Sequence, residues 1–255
     1  MPTSSLSSGE AMTNPATRPN LTPRLLETLA TKVARAEALL AEIAAHFAPA
    51  AFANSLGAED MVLMDLLCQH RLPVEIFTLD TGRLPPATYD LMAESERHYG
   101  VRLHIHSPRH EALEAYAREH GINAFRDSVE LRKTCCRIRK VEPLERALAG
   151  KKAWITGMRA QQSATREGLP ERDFDAGRGI PKFNPLADWS EREIWAYIRQ
   201  HAVPYNRLHD QFYSSIGCAP CTRAISLGED IRAGRWWWEE PAAKECGLHV
   251  SEPGG

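Results

Sequence analysis

The chain has 255 residues, of which 43% are hydrophobic and 25% charged, with a formal net charge of −2 at pH 7. This composition excludes collagen-like and wholly disordered chains, and it can bury the core of one α/β domain with an appendage. The near-neutral charge argues against nucleic acid or an anionic membrane as the main partner, so any anion site has to be local. No stretch approaches the roughly 18 apolar residues that a membrane span needs.

The N-terminal residues 1–20 are rich in Ser, Thr, Pro and Asn, and they lack both a basic start and an apolar run. They predict a disordered leader and not a signal peptide. The chain also has six cysteines. Without an export signal, these indicate a reducing, cytoplasmic setting, where clustered cysteines hold metal or do redox chemistry more often than they form structural disulfides.

Helical spacing of apolar residues over 21–46 predicts one or two amphipathic helices. Strand and helix patterns then alternate at least four times: a small-residue run (AAFAN, 50–54), a helix (58–70), a strand (74–80), a helix (86–100), a strand (101–108), a helix (111–121), a helix ending at 148 and a strand (153–157). This alternation predicts a parallel sheet with helices on both faces, whose ligands bind beyond the carboxyl ends of the strands. After Arg166 only one further helix is clear, over 190–201, with Ser190 and Glu193 in a capping-box arrangement.

The turn SLGAED, residues 55–60, joins a predicted strand to a predicted helix. Backbone N–H groups and a helix N-terminus would point at an anion there, and phosphate is the natural ligand. An ordinary strand-to-helix turn with Gly57 relieving strain explains the same residues. Gly157, Arg159 and Arg166 follow a later strand at the same predicted edge, where the arginines are either ligand contacts or solvated loop charges.

The segment RKTCCRIRK, 132–140, has adjacent cysteines, Cys135 and Cys136, among five basic residues. Adjacent cysteines suit neither the spacing of a structural zinc site nor an unstrained disulfide. Joined with the CxxC pair, Cys218 and Cys221, they provide the ligands of one [4Fe–4S] cluster, whose negative charge the basic residues would offset. A zinc site and two independent cysteine pairs remain open alternatives.

Cys246 lies in KECGLHV near the C-terminus, where Arg232, Arg235 or His249 could lower the pKa of its thiol. It is either a nucleophile or an inert exposed thiol. Cys68 belongs to an apolar helical run and predicts packing.

Several motifs in chain order resemble one known family: SLGAED, LDTGRL, KTCCRIRKVEPL, ITGMRAQQSATR, FNPLADWSEREIWAYI, GCAPCTRAI, GEDIRAGRWWWE and ECGLH. From about residue 50 to residue 250 the chain is similar to the assimilatory sulfonucleotide reductases. The CC…CxxC set resembles the iron–sulfur branch that reduces adenylyl sulfate (APS), and not the branch without a cluster that reduces its 3′-phosphorylated form (PAPS).

The resemblance implies an adenine-nucleotide α-hydrolase-like (PP-loop-related) α/β fold with a mobile C-terminal tail. With the leader (1–20) inferred from composition, we expect a nucleotide-binding domain with the iron–sulfur site (21–225) and a C-terminal segment with the catalytic cysteine (226–255). The resemblance assigns a [4Fe–4S] cluster to Cys135, Cys136, Cys218 and Cys221. It assigns catalysis to Cys246, Lys140 and His249, and substrate binding to Ser55, Gly57, Gly157, Arg166, Arg232 and Arg235.

The implied activity is reduction of APS to sulfite and AMP in sulfate assimilation and cysteine biosynthesis, through an S-sulfocysteine on Cys246. The implied electron donor is thioredoxin or a glutaredoxin-type dithiol, with no nucleic acid or membrane partner, and a homo-oligomeric state stays open. ATP pyrophosphatases carry an SGGxDS loop, whereas Leu56, Glu59 and Asp60 stand here, which argues against ATP cleavage. Three alternatives remain: a PAPS or dual reductase, an ATP pyrophosphatase or thiolation-type enzyme, and a metal-cluster redox sensor.

Overall fold

A six-stranded sheet organises the protein, for which a computed structural model describes residues 14–162 and 168–240. The strands are β1 (Ala50–Ala53), β2 (Glu75–Leu79), β3 (His104–His106), β4 (Ala153–Ile155), β5 (Arg172–Asp175) and β6 (Ile180–Phe183). Their order is β3-β2-β1-β4-β6-β5, and all pairs are parallel except β5 with β6. The expected α/β fold is confirmed as a mostly parallel, mixed sheet.

The α-helices connect and cover these strands. They are α1 (Pro23–His46), α2 (Ala58–Gln69), α3 (Pro86–Tyr99), α4 (His110–His120), α5 (Val129–Cys136), α6 (Glu142–Leu148) and α7 (Glu191–His201). A π-helical turn, Arg137–Val141, joins α5 to α6. The predicted capping box of Ser190 and Glu193 is confirmed at the start of α7.

Alternate residues of the central strand pack into different cores, because successive side chains of a strand point to opposite faces. Ala50 and Phe52 belong to the larger core, which includes residues of α1, α2 and α7. Ala51 belongs to a smaller core with Leu144 and Leu148 of α6. Helices therefore cover both faces of the sheet, as the sequence predicts.

The strand order reverses at β1, because the chain continues from β1 to β2 on one side and later returns through β4 on the other. In sheets of this kind, ligands bind in the crevice outside the carboxyl ends of the strands at such a reversal. The turn that starts with Ser55 follows β1, and Gly157 follows β4. Both turns are therefore placed at the crevice by topology.

The hairpin of β5 and β6 is absent from the sequence prediction. Its strand residues are RDFD and IPKF, and β5 is exposed except for Asp175. A short polar strand at the sheet edge has no apolar run to reveal it. The hairpin extends the sheet beyond β4 and adds the one antiparallel strand pair of this described sheet.

The predicted disordered leader is wrong for its described part, residues 14–20. Thr17 is fully buried in a 3₁₀ turn, Pro15–Thr17. Its hydroxyl donates to Asp210 at 2.8 Å, and its carbonyl accepts from Arg199 at 2.8 Å. These contacts with distant residues order a segment whose composition alone favours disorder. Residues 1–13 lie outside the described residues, and the other domain boundaries stay predictions.

Within the described residues, none of the helices combines the length and hydropathy needed to cross a bilayer.

Candidate active site

A cavity of about 270 Å³ lies at the carboxyl ends of β1, β2 and β4. It brings together residues that the sequence places far apart, and among its lining residues are Ser55, Gly57, Lys140, Gly157, Arg232 and Arg235. Three other predicted site residues, Arg166, Cys246 and His249, lie outside the described residues.

The turn after β1 is organised by a carboxylate of its own. Asp60, in the first turn of α2, accepts hydrogen bonds from Ser55 N at 2.7 Å and Ser55 Oγ at 2.5 Å. The following residue, Leu56, has a φ of 62°, and its N–H donates to Asn54 Oδ1 at 2.7 Å. These hydrogen bonds hold the turn in place without a ligand. The Ser55 N–H, which could otherwise donate to a phosphate, donates to Asp60.

Asp60 also ties this turn to the one after β4, because the Gly157 backbone N–H donates to the same carboxylate. A Cβ added at Gly157 would overlap Asp60 Oδ1 and would lie 3.1 Å from Glu59 Cβ. Only glycine leaves room for the carboxylate. The sequence analysis assigned no site role to Asp60. The signal that could have revealed it is an acidic residue in the first turn of a helix, directly after a predicted phosphate-binding turn.

Replacement of Gly157 by alanine is expected to push Asp60 out of its hydrogen bonds and to weaken AMP binding by about tenfold or more. Gly177 supplies a matched control, because its added Cβ would lie 3.5 Å from Asp175 Oδ1, an ordinary contact. Isothermal titration of AMP into both alanine variants measures the difference. Equal affinities in the two variants would contradict the assigned role of Gly157.

Burial raises the pKa of Asp60 to about 6, and the neighbouring Glu59 carboxylate adds to this, while hydrogen bonds from Ser55 and Gly157 oppose it. The side chain is therefore mostly ionised at neutral pH and mostly protonated below about pH 5. Because the folded pKa lies above that of the unfolded chain, this group stabilises the fold most at low pH. That contribution is lost as the pH rises through about 6.

The variant Asp60→Asn is expected to remove this part of the pH dependence. Between pH 4 and pH 7 the free energy of unfolding of the wild type should fall by up to about 3 kcal/mol relative to that of the variant. Urea unfolding of both proteins at the two pH values measures the difference. A constant difference between the proteins at both pH values would show that Asp60 does not titrate in this way.

Glu59, which is partly exposed, and Arg159, which is buried, form an ion pair in the cavity wall. Arg159 Nη2 lies 2.7 Å from Glu59 Oε1, and the Arg159 side chain is 3% exposed. Burial is the largest influence on the Glu59 carboxyl and raises its pKa, but the charge and hydrogen bond of Arg159, with hydrogen bonds from the backbone and Gln162, together lower the pKa. Arg159, which the sequence left as a ligand contact or a solvated charge, is not solvated: it pairs with Glu59, donates to the Trp189 carbonyl at 3.2 Å and lines the cavity.

Cationic side chains line the same cavity. Arg235 is buried, with its guanidinium 4.7 Å from the centre of the Trp236 ring and its Nη1 3.3 Å from Ser215 Oγ. A Cβ added at Gly217 would overlap the Arg235 guanidinium, which explains a glycine before the CxxC pair. With Lys140 and Arg232, Arg235 gives this cavity a set of cations suited to a ligand with several negative charges.

The four predicted cluster ligands occupy two short segments. Cys135 and Cys136 end α5, whereas Cys218 precedes and Cys221 ends a 3₁₀ turn, Ala219–Cys221. Burial raises the pKa of Cys221 to about 11, with smaller contributions from Cys218 and Cys135 and opposing ones from Lys140 and Arg235. Cys221 therefore lies within electrostatic range of cysteines from both segments.

The cysteines and the cavity share a wall. Cys218 Sγ donates to Thr81 Oγ1 at 3.2 Å, and Thr81, just after β2, lines the cavity together with Lys140. The five described cysteines are free thiols. Among the described residues no group of three His, Cys, Asp or Glu side chains is arranged to hold a single metal ion.

Residues 49–224 match a family model described as the phosphoadenosine phosphosulfate reductase domain. The chain belongs to this family. Its curated relatives include the adenosine 5'-phosphosulfate reductase of Allochromatium vinosum, 58% identical over 89% of this chain and 88% of that protein. The enzyme of the same name from Burkholderia cepacia is 52% identical over 92% of this chain and 93% of that protein.

Solved structures agree with this family membership. The phosphoadenylyl-sulfate (PAPS) reductase from Candida auris, crystallised as a phosphate complex, is 30% identical, with a TM-score of 0.65 over 81% of this chain and 98% of that one. Yeast FAD synthetase, in complex with FAD, is 17% identical, with a TM-score of 0.56 over 84% of this chain and 73% of that one. The second likeness concerns the fold alone and agrees with the adenine-nucleotide α-hydrolase-like class.

Proposed function

We propose that the protein reduces APS to sulfite and AMP in sulfate assimilation, with electrons from a thioredoxin-type dithiol protein. One observation carries the proposal: Lys140, Arg232 and Arg235 line the same cavity as the turns after β1 and β4, at the reversal of strand order. A nucleotide with a phosphosulfate group needs such cations beside a nucleotide crevice. The names and high identity of the curated relatives support the same reaction.

We further propose that Cys135, Cys136, Cys218 and Cys221 hold a [4Fe–4S] cluster. Each thiolate of such a cluster binds a different iron, so its ligands stand farther apart than those of one metal ion. Two buried donors near these cysteines support the fit, since Trp236 Nε1 and Arg139 Nε have no acceptor within the described part of the chain. Trp236 N donates to the Cys221 carbonyl at 3.2 Å, which places this residue beside the CxxC turn. When bound, the cluster supplies a fixed frame and local charge next to Lys140.

In the first half of the proposed reaction, the Cys246 thiolate attacks the sulfur of APS. A sulfur–sulfur bond forms, the bond between sulfur and the bridging oxygen breaks, and AMP leaves with the bonding electrons. Lys140, Arg166, Arg232 and Arg235 stabilise the negative charge that grows on the phosphate and sulfate oxygens. His249 lies three residues after Cys246, and a protonated His249 favours the thiolate form of Cys246.

In the second half, one thiol of the donor attacks Cys246 and releases sulfite. The second donor thiol resolves the mixed disulfide and regenerates Cys246, so the donor is oxidised by two electrons to a disulfide. The chain needs no resolving cysteine of its own. We place this reaction in the cytoplasm, where such dithiols stay reduced, in agreement with the free thiols of the described cysteines.

The comparisons support APS over PAPS as the substrate. The two curated relatives named adenosine 5'-phosphosulfate reductase are 58% and 52% identical to this chain, whereas the PAPS reductase from Candida auris is 30% identical.

Anaerobic assays of sulfite and AMP release with APS and reduced thioredoxin test the proposal, with PAPS as the comparison. The expected result is turnover of APS at a kcat/KM at least about tenfold above that for PAPS. Equal or faster turnover of PAPS would overturn the substrate assignment, and AMP with pyrophosphate from ATP would favour the pyrophosphatase alternative.

A further inference from the structure

A buried ion pair outside the cavity joins α5 to the end of the described chain. Arg132 Nε and Nη2 donate to the two carboxylate oxygens of Glu239 at 2.8 Å each. The side chains are only 1% and 5% exposed, respectively. This two-bond geometry fixes both the distance and the relative orientation of the partners.

The same guanidinium contacts two parts of the proposed site. It lies 4.6 Å from the centre of the Trp236 ring, and it shares a hydrogen bond with the Cys136 side chain. Trp236 lines the cavity next to Arg235. Arg132 therefore contacts Cys136, the Trp236 ring in the cavity wall and Glu239 together.

Glu239 marks the start of the segment that leads to Cys246. Its N–H donates to the Trp236 carbonyl at 2.9 Å, and the Trp236 N–H donates to the Cys221 carbonyl. The turn from Trp236 to Glu239 is thus fixed to both cysteine segments. Cys246 follows Glu239 by seven positions in the sequence.

Stability alone does not account for such a pair. Two buried charges are costly to desolvate, and well-packed apolar side chains at such positions are often neutral or stabilising by comparison. A buried ion pair does hold its two segments in one relative position, because its hydrogen bonds are directional. The pair lies between the cysteines and the start of the C-terminal segment. A fixed contact at this point sets the position of the chain that leads to the attacking thiol.

We infer that Arg132 and Glu239 are positioning residues that fix the start of the C-terminal segment on α5, so that Cys246 reaches the substrate in register. This inference rests on the proposed function for the role of Cys246. It separates two tasks: the cavity residues bind the nucleotide, and the Arg132–Glu239 pair sets the approach of the thiol.

The variants Glu239→Gln and Arg132→Lys test it in the intact protein. Both are expected to slow formation of the S-sulfo adduct in a single turnover without reductant by about tenfold or more, with the affinity for AMP changed by less than about twofold. The iron–sulfur absorption per protein should be retained. Arg132→Lys, which keeps the charge but not the two-bond geometry, should lose less than Glu239→Gln.

Glu229→Gln is the matched control. Glu229 also accepts two bonds from one arginine, Arg223, at 3.0 Å each, but this pair is exposed and neither residue lines the cavity. The control is expected to form adduct at the wild-type rate. A second readout needs no chemistry: trypsin cleavage after Lys244 should be faster in Glu239→Gln than in Glu229→Gln.

The outcomes separate the inference from the proposed function. Adduct formation at the wild-type rate in Glu239→Gln, or a parallel loss of AMP affinity and iron, would overturn the positioning role. Wild-type protein that forms no adduct would overturn the proposed function. In that case, equal rates of cleavage after Lys244 in Glu239→Gln and Glu229→Gln would overturn the positioning role of the Arg132–Glu239 pair as well.

Discussion

The Cys246→Ser variant is expected to form no S-sulfo adduct with APS and to release sulfite at least about a thousandfold more slowly than the wild type. A serine hydroxyl is hardly ionised at neutral pH, and it cannot form the sulfur–sulfur bond that the donor later cleaves. Intact-protein mass spectrometry after incubation with APS and without reductant measures the adduct. Peptide mapping then locates it.

Cys68→Ser is the control for this experiment. Cys68 is a free thiol on α2, and burial raises its pKa to about 11, with Asp65 adding to the effect. A thiol with so high a pKa is a poor nucleophile at neutral pH, so this variant should form the adduct normally. Adduct on the Cys246→Ser protein would show that another thiol is the nucleophile.

The regular part of the fold could be predicted from the sequence because its signals are local. The apolar run over 74–80 predicts a strand, and the capping box of Ser190 and Glu193 predicts the start of α7, each from a few neighbouring residues. The β5–β6 hairpin could not be predicted, since its exposed strand RDFD is defined only by pairing with its neighbour. The ordering of Thr17 likewise depends on Asp210, far along the chain.

The same contrast holds in the candidate site. Glycines and cations after the strands could be predicted, because topology brings the strand ends to one edge. The pairing of Asp60 with both Ser55 and Gly157 could not, since it requires two turns to meet across the reversal of strand order. Arg132 was interpreted as one of several charges that offset a cluster, yet its main partner is Glu239, at a separation of 107 residues.

The Cys136→Ser variant is expected to lose the visible iron–sulfur absorption and to turn over APS at least about a hundredfold more slowly. A serine hydroxyl is a poor ligand for iron, and Cys136 also contacts Arg132 and directly precedes the π-helical turn that carries Lys140. Losing this ligand therefore removes the frame that holds Lys140 beside the substrate.

Anaerobic purification, metal analysis and absorption spectra of Cys136→Ser, Cys68→Ser and the wild type provide the measurement. Cys68 contributes to the packing on α2 and should be dispensable for iron binding. Wild-type protein that carries one equivalent of zinc and no iron would overturn the cluster proposal while leaving the APS reaction untouched. Full iron content in Cys136→Ser would instead remove this residue from the ligand set, because a cluster held by four thiolates is expected to lose iron when one of them is replaced.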